Sequence, residues 1–321
     1  MTRGATDHGP LQRSPGRLSR RRVLGGLLGA GAAVALGPVE RGLASQPAMR
    51  KRTVPSSGEP LPVVGLGTWR QFDVGEGRRD RAPLERVLRM VHESGGRVVD
   101  SSPMYGRSER VVGELANELG IAEELFMATK VWTDGQRAGA QQMRRSMKRM
   151  RSRPMDLVQV HNLRDWRAHL GTLEAWKKEG LVRYIGVTHY LESAFDELER
   201  IVRHQDIDFV QLPLSVQTRK AEERLLSLAA DRGVAVVVNR PFEGGSLFAR
   251  VRGEELPTWA RPLCDSWAQL FLKYILGRPE VTCVIPGTSD PEHARDNMGA
   301  GRGPLPNAEL RRRMASHVDS L

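Results

Sequence analysis

Eight short apolar runs, rich in β-branched residues and each leading into a longer segment of helical periodicity, recur along the chain after residue 45. They fall at 61–65, 97–99, 125–129, 156–160, 184–187, 208–211, 234–238 and 281–285. Between them lie helical patterns at 83–92, 109–119, 139–150, 165–178, 191–204, 221–230 and 264–276. Strands that are apolar throughout need cover on both faces, and alternating helices supply it, so the pattern predicts a parallel sheet. Eight strand–helix units in this length match a (β/α)8 barrel, which takes about 250 residues. A doubly wound sheet shares the alternation but wants a Gly-rich phosphate turn after its first strand and an acidic residue downstream. Gly65-Leu66-Gly67-Thr68-Trp69 supplies part of that turn and no matching βαβ unit follows. The expected architecture is therefore α/β, a single-domain (β/α)8 (TIM) barrel over residues 61–306. A linker and N-terminal cap over 45–60 precede it, and a C-terminal tail over 307–321 follows.

The N-terminus reads as an address. Arg20-Arg21-Arg22 stands directly before an uncharged Gly/Ala-rich stretch, 23–37, and Gly42-Leu43-Ala44 offers small residues for cleavage. A charged region, a short apolar region and a small-residue exit make a signal peptide. The paired arginines resemble a twin-arginine export signal over residues 1–44, which implies contact with the twin-arginine machinery and a periplasmic or exported destination for a protein folded beforehand. Fifteen weakly apolar residues are too few to span a bilayer, which takes about 20. The formal charge of +11 raises a nucleic-acid partner, but seven arginines against Asp7 and Glu40 put +5 of it before residue 45. The densest remaining run, 137–153, has Met143, Met147 and Met150 at helical spacing among its cations and reads as a solvated face over an apolar stripe. No nucleic-acid partner is expected.

A parallel barrel carries its chemistry at the carboxyl ends of its strands. Read in order, those positions are Gly67-Thr68-Trp69, Asp100, Lys130, His161, Thr188-His189, Gln211, Asn239-Arg240 and Pro286-Gly287. Three consecutive strands ending in Asp, Lys and His are hard to explain by packing. Asp100 also opens a short loop that reaches Tyr105, one of four tyrosines. A phenol with a pKa of about 10 is drawn toward its ionised form by a neighbouring ammonium, which brings its proton within range of neutral-pH transfer. Asp100 pairs with Lys130 in this reading, and His161 faces the same cavity as a donor to a substrate oxygen. Each residue alone has a structural reading, whether buried ion pair, satisfied histidine or aromatic plug. Their succession along the strands favours function.

Across residues 52–306 the chain resembles the aldo-keto reductases, in the segments 65–69, 100–106, 128–132, 156–162, 180–189, 208–213 and 285–297. The resemblance implies a (β/α)8 barrel that reduces small-molecule aldehydes and ketones with NADPH, NADH being possible. It implies Tyr105 as proton donor, Lys130 and Asp100 as tuners of its acidity, and His161 as the group orienting the carbonyl. Cofactor contacts are implied at Gly67, Thr68, Trp69, Asp100, Thr188, His189, Gln211, Asn239, Arg240, Pro241, Phe242, Gly244, Pro286, Gly287, Thr288, His293, Asp296 and Asn297. No metal is expected, and the hydride chemistry belongs to the cofactor.

The chain departs from the family at several of these places. Thr188-His189 stands where a Ser-Asn pair holds the nicotinamide carboxamide, and Asn239 where an aromatic stacks on the ring. Gly287 and His293 stand where cations grip the 2′-phosphate of NADP, with Thr288 and Arg295 as partial substitutes. Trp69, Trp132, Trp166 and the stretch 242–263 are expected to shape the substrate pocket. An exported nucleotide-binding barrel with little turnover is the alternative reading. A metal-dependent hydrolase built on His161, His189 and Asp100 lacks a His-x-His pair at a strand end. A Cys264–Cys283 bridge is not expected, because Cys283 lies within the eighth strand run.

Overall fold

A computed structural model describes residues 47–321. The expected export signal and its cleavage point lie outside the described residues. In chain order the elements are β1 (Lys51–Thr53), β2 (Pro60–Pro62), β3 (Leu66–Gly67), α1 (Arg78–Glu93), β4 (Val98–Asp100), α2 (Ser108–Glu118), β5 (Phe126–Val131), α3 (Gln136–Met150), β6 (Met155–His161) and α4 (Trp166–Lys178). There follow β7 (Val182–Thr188), α5 (Phe195–His204), β8 (Phe209–Pro213), α6 (Leu225–Asp231), β9 (Ala235–Asn239), α7 (Ser246–Arg250), α8 (Trp267–Leu276), β10 (Val281–Val284), α9 (Pro291–Gly299) and α10 (Ala308–Asp319). Strands β3 to β10 form one parallel eight-stranded sheet in sequence order. The bridges Val64 to Val284 and Gly67 to Gly287 draw its two edges together into the expected (β/α)8 barrel.

The closure depends on glycine. A Cβ on Gly67 would sit 2.9 Å from the carbonyl oxygen of Ile285, and one on Gly287 would sit 2.9 Å from that of Gly67. Backbone cannot yield as a side chain can, so the first and last strands meet closely because both residues lack a side chain.

Side chains alternate along every strand, and the inward set changes character from bottom to top. Val98, Phe126, Leu157, Tyr184, Phe209, Ala235 and Cys283 fill the lower interior in one apolar cluster. One or two inward steps higher come Asp100, Lys130, Gln159, His161, Thr188 and Gln211, all buried. The outward residues, such as Val99, Val131, Val158, Val160 and Val210, pack beneath the helices as the larger core. A barrel with an apolar base and a polar top has its ligand end decided by its strands.

Two segments differ from the sequence reading. The run 61–65 is only in part barrel strand: Pro60–Pro62 pairs antiparallel with Lys51–Thr53 in a hairpin, Val63 and Gly65 exchange backbone hydrogen bonds with Val284 of the last strand, and the pairing with β4 is made by Leu66–Gly67. Prolines lack the N–H that a barrel strand would donate and suit an edge. The hairpin puts Val54 and Leu61 into the interior cluster, and the Arg52 guanidinium caps carbonyls of Leu276, Arg278 and Val281. Residues 307–321, expected as a tail, carry helix α10, whose N-cap Asn307 accepts from the Leu310 N–H at 2.9 Å. Its Met314 and Val318 are fully buried, and Arg311 donates to the Tyr274 carbonyl at 2.8 Å.

The basic run on α3 behaves as read, with Met143 and Met150 buried and Arg137, Arg144, Arg145 and Lys148 exposed. Cys264 and Cys283 are both buried and free.

Candidate active site

The top of the barrel holds a cavity of about 810 Å3. Asp100, Tyr105 and His161 line it, and Lys130 lies fully buried beneath. Lys130 Nζ donates to Asp100 Oδ2 at 2.5 Å and to the Ser101 carbonyl at 2.7 Å, and stands 5.2 Å from the centre of the Tyr105 ring. The Tyr105 and His161 rings meet edge to face at 5.7 Å. Residues from three successive strands and the loop after the first of them thus converge on one end of the cavity.

The loop bearing Tyr105 is pinned at its next residue. Gly106 has a positive φ of 59°, and a Cβ there would fall on the Asp73 carboxylate, which accepts the Arg107 N–H at 3.0 Å. Only glycine allows that turn and contact together.

Burial governs the protonation states. It pushes the Tyr105 phenol above its ordinary value, and the pull of the Lys130 charge downward does not overcome it, Asp100 adding to the rise. The net direction is opposite to the expected shift toward phenolate, so Tyr105 holds its proton. For Lys130 burial alone would favour the neutral amine, but Asp100 and Tyr105 outweigh it and raise the pKa, so the ammonium persists. His161 is pushed down to about 2, first by burial and then by the Lys130 charge. It is a neutral imidazole. Ser102 Oγ lies 3.0 Å from its Nδ1 and itself accepts the Met104 N–H at 3.4 Å. The hydroxyl hydrogen is then free to go to Nδ1, which leaves Nε2–H to act as a donor.

Asp100 is held on both oxygens. Gln211 Nε2 donates to Oδ1 at 3.0 Å and Gln159 Nε2 at 3.4 Å. Thr188 Oγ1 donates to Gln211 Oε1 at 3.0 Å. Asn239 Nδ2 reaches that same oxygen at 3.4 Å and the His189 carbonyl at 3.3 Å.

Of the expected cofactor residues, Gly67, Thr68, Trp69, Thr188, Gln211, Asn239, Arg240, Pro241, Phe242, Gly244 and Gly287 line this cavity. Pro286, Thr288, His293, Asp296 and Asn297 do not; Pro286 and Thr288 flank Gly287, and the other three lie on α9. There Asp296 is engaged by Ser266 Oγ at 2.6 Å and Gln269 Nε2 at 2.7 Å, Asn297 is buried and His293 is exposed. The His189 side chain is also turned away, stacked on Tyr190 with its Nδ1 accepting the Leu191 N–H. Of the tryptophans, Trp69 and Trp132 line the pocket, whereas Trp166 donates to Glu197 Oε1 at 2.9 Å between α4 and α5 and is not part of it. From the stretch 242–263, Phe242, Gly244, Gly245 and Phe248 contribute.

Sequence reasoning missed Ser102, Gln159, Asn162 and Tyr190. Gln159 was within reach, since it sits two residues before His161 on the same strand and so faces the same interior. Among the described residues no cluster of three His, Cys, Asp or Glu side chains is placed to hold a metal.

The residues suit a nicotinamide nucleotide on the structure's own terms. A polar floor carries buried acceptors without partners among the described residues, Asn162 Oδ1 and Asn239 Oδ1, beneath aromatic walls. A family model described as the aldo/keto reductase family matches residues 63–316. An NADH-specific methylglyoxal reductase from Escherichia coli K12 is 24% identical, over 84% of this chain and the whole of that protein. An aldose reductase from Encephalitozoon cuniculi is 25% identical over 83% of this chain and 91% of its own. A crystal structure of an aldo/keto reductase from Klebsiella pneumoniae with NADP and acetate superposes with a TM-score of 0.70, at 20% identity, covering 84% of this chain and 95% of that one.

Proposed function

The chain belongs to the aldo/keto reductase family, and from that premise we propose that it reduces the carbonyl of a small aldehyde or ketone to an alcohol, with Tyr105 as proton donor and NADPH or NADH as cofactor. The observation that carries the reading is the convergence of Asp100, Tyr105, Lys130 and His161 at one end of a cavity floored by Thr188, Gln211 and Asn239. A nicotinamide nucleotide held against Thr188, Gln211 and Asn239 would supply the hydride. His161, neutral and donating from Nε2, orients the carbonyl oxygen toward the Tyr105 hydroxyl. Tyr105 keeps its proton until negative charge builds on that oxygen and then gives it up. The phenolate left behind is stabilised by the Lys130 ammonium, which Asp100 holds charged in a dry site. Trp69, Trp132, Phe242 and Phe248 exclude water and present apolar surface to the remainder of the substrate.

Tyr105→Phe removes the donor and little else. It is expected to lower kcat by a factor of about 10² or more with nucleotide affinity unchanged. Turnover close to the parent enzyme's would remove Tyr105 from this role. The assembled acid set supports turnover over passive nucleotide sensing. For location, the twin-arginine motif supports export of the folded protein, a reading that rests on sequence.

A further inference from the structure

The hydrogen-bond chain that leaves Asp100 has its polarity fixed from one end. A carboxylate paired with an ammonium only accepts, so Gln211 must turn its amide nitrogen toward Asp100. Its Oε1 then faces Thr188 and Asn239. Asn239 therefore has an acceptor on each contact it makes, Gln211 Oε1 and the His189 carbonyl, and must point its amide nitrogen at both. A flipped Asn239 would set carbonyl oxygen against carbonyl oxygen twice, so the network fixes which side-chain atom is the nitrogen. The consequence appears at the far end of the chain. Asn239 Oδ1 is buried, belongs to a residue that lines the cavity, and has no partner among the described residues.

A buried acceptor left unpaired is costly, and in a ligand cavity the missing donor is to be sought on the ligand. The substrate carbonyl brings an acceptor to this site and is served by Tyr105 and His161. The nicotinamide carries N–H groups on its carboxamide. We propose that Asn239 is a cofactor-positioning residue whose Oδ1 accepts a carboxamide N–H, fixing the nicotinamide by hydrogen bonding where the family resemblance leads one to expect an aromatic stack. The inference rests on the reductase reading. It adds that ring placement is tied through Gln211 to Asp100, and so to the group that holds Lys130 charged.

The test compares the oxidised dinucleotide that the full-length protein binds better, NADP+ or NAD+, with its 3-acetylpyridine analogue, in which a methyl replaces the carboxamide NH2. Binding is read from quenching of tryptophan fluorescence, since Trp69 and Trp132 line the cavity. The wild-type protein is expected to prefer the natural nucleotide by at least about fivefold, the cost of leaving a buried acceptor unpaired. Asn239→Leu is expected to bind the two alike. Asn239→Tyr, which offers a ring to stack on, is expected to lose the preference as well, whatever it does to overall affinity. A preference that survives in either variant overturns the proposal and moves the carboxamide contact to other groups. Equal binding by the wild type also overturns it and leaves the reductase reading standing. Binding of neither nucleotide brings down both.

Discussion

The four side chains of the acid set were legible in the sequence because their chemistry is carried by residue type. An Asp, a Lys and a His ending successive strands, with a scarce tyrosine in the adjoining loop, are conspicuous without coordinates. Their protonation states were not legible, since these depend on burial. Proximity to Lys130 suggests an easily ionised Tyr105, yet desolvation of the phenol wins and the proton stays. Ser102 and Gln159 escaped notice for a related reason: a serine or glutamine acquires a role only through what it touches, here His161 and Asp100. The depressed pKa of His161 has a measurable cost in acid. In the folded protein it titrates at about 2, whereas an unfolded histidine titrates near its ordinary 6.5. Between those values the unfolded chain binds the extra proton, so the contribution is intact above pH 6.5 and is lost progressively as pH falls below it. At pH 5 the loss amounts to about 2 kcal/mol. His161→Gln is expected to lower the stability at pH 7 but to narrow the difference between urea unfolding at pH 7 and pH 5 by about that amount. An equal pH difference in the two proteins would show that His161 is not buried in its neutral form.

Among the elements, those with a strong period were read closely, β6 at Met155–His161 to within one residue and α3 at Gln136–Met150 to within three. The failures have local causes. At 61–65 an apolar run is divided between two structures, because prolines at 60 and 62 favour the hairpin edge and leave Val63 to Gly65 to bond with Val284 in the barrel, just ahead of Leu66–Gly67. At the C-terminus Asn307 and the apolar spacing of Leu310, Met314 and Val318 were a helix signature that a short terminal segment did not invite one to read. Helix α9 carries the consequence for cofactor choice. Its N-cap is Asp290, whose Oδ1 accepts the Glu292 N–H at 2.8 Å, and Arg295 is already paired with Glu292 at 2.8 Å. Two carboxylates therefore flank the place where the family resemblance puts the 2′-phosphate, with no free cation from Gly287 or His293. His293 is exposed on this helix and can be changed without disturbing the core. His293→Arg is expected to raise affinity for NADPH about fivefold relative to NADH, through a charge-assisted contact with the extra phosphate. An unchanged ratio in titrations of the two nucleotides would place the adenosine end away from α9.

For the whole molecule, the eightfold alternation made the barrel readable, but nothing in the alternation shows how the ring shuts. That depends on Gly67 and Gly287 lying against each other's backbone, two residues that are 220 positions apart and mutually informative only in space. The same closure determines when the cavity exists. Its lining runs from Gly67 on the first barrel strand to Gly287 beyond the last, so no partial barrel presents the nucleotide site. A chain sent outward unfolded would have to find its nicotinamide after crossing, where a supply of reduced cofactor is not evident. On the proposed reading, a chain exported folded would close around its cofactor in the cytoplasm first, and this would give physical sense to a twin-arginine signal at Arg20-Arg21 ahead of such a barrel. Substituting lysine for both arginines preserves charge and removes the feature that the folded-protein route reads. The doubly substituted protein is expected to stay in the cytoplasmic fraction, with the same specific activity and bound nucleotide as the parent, because every residue that lines the cavity lies at position 67 or beyond. Export of the double variant at the parental level would refute the twin-arginine reading and leave the reductase site untouched.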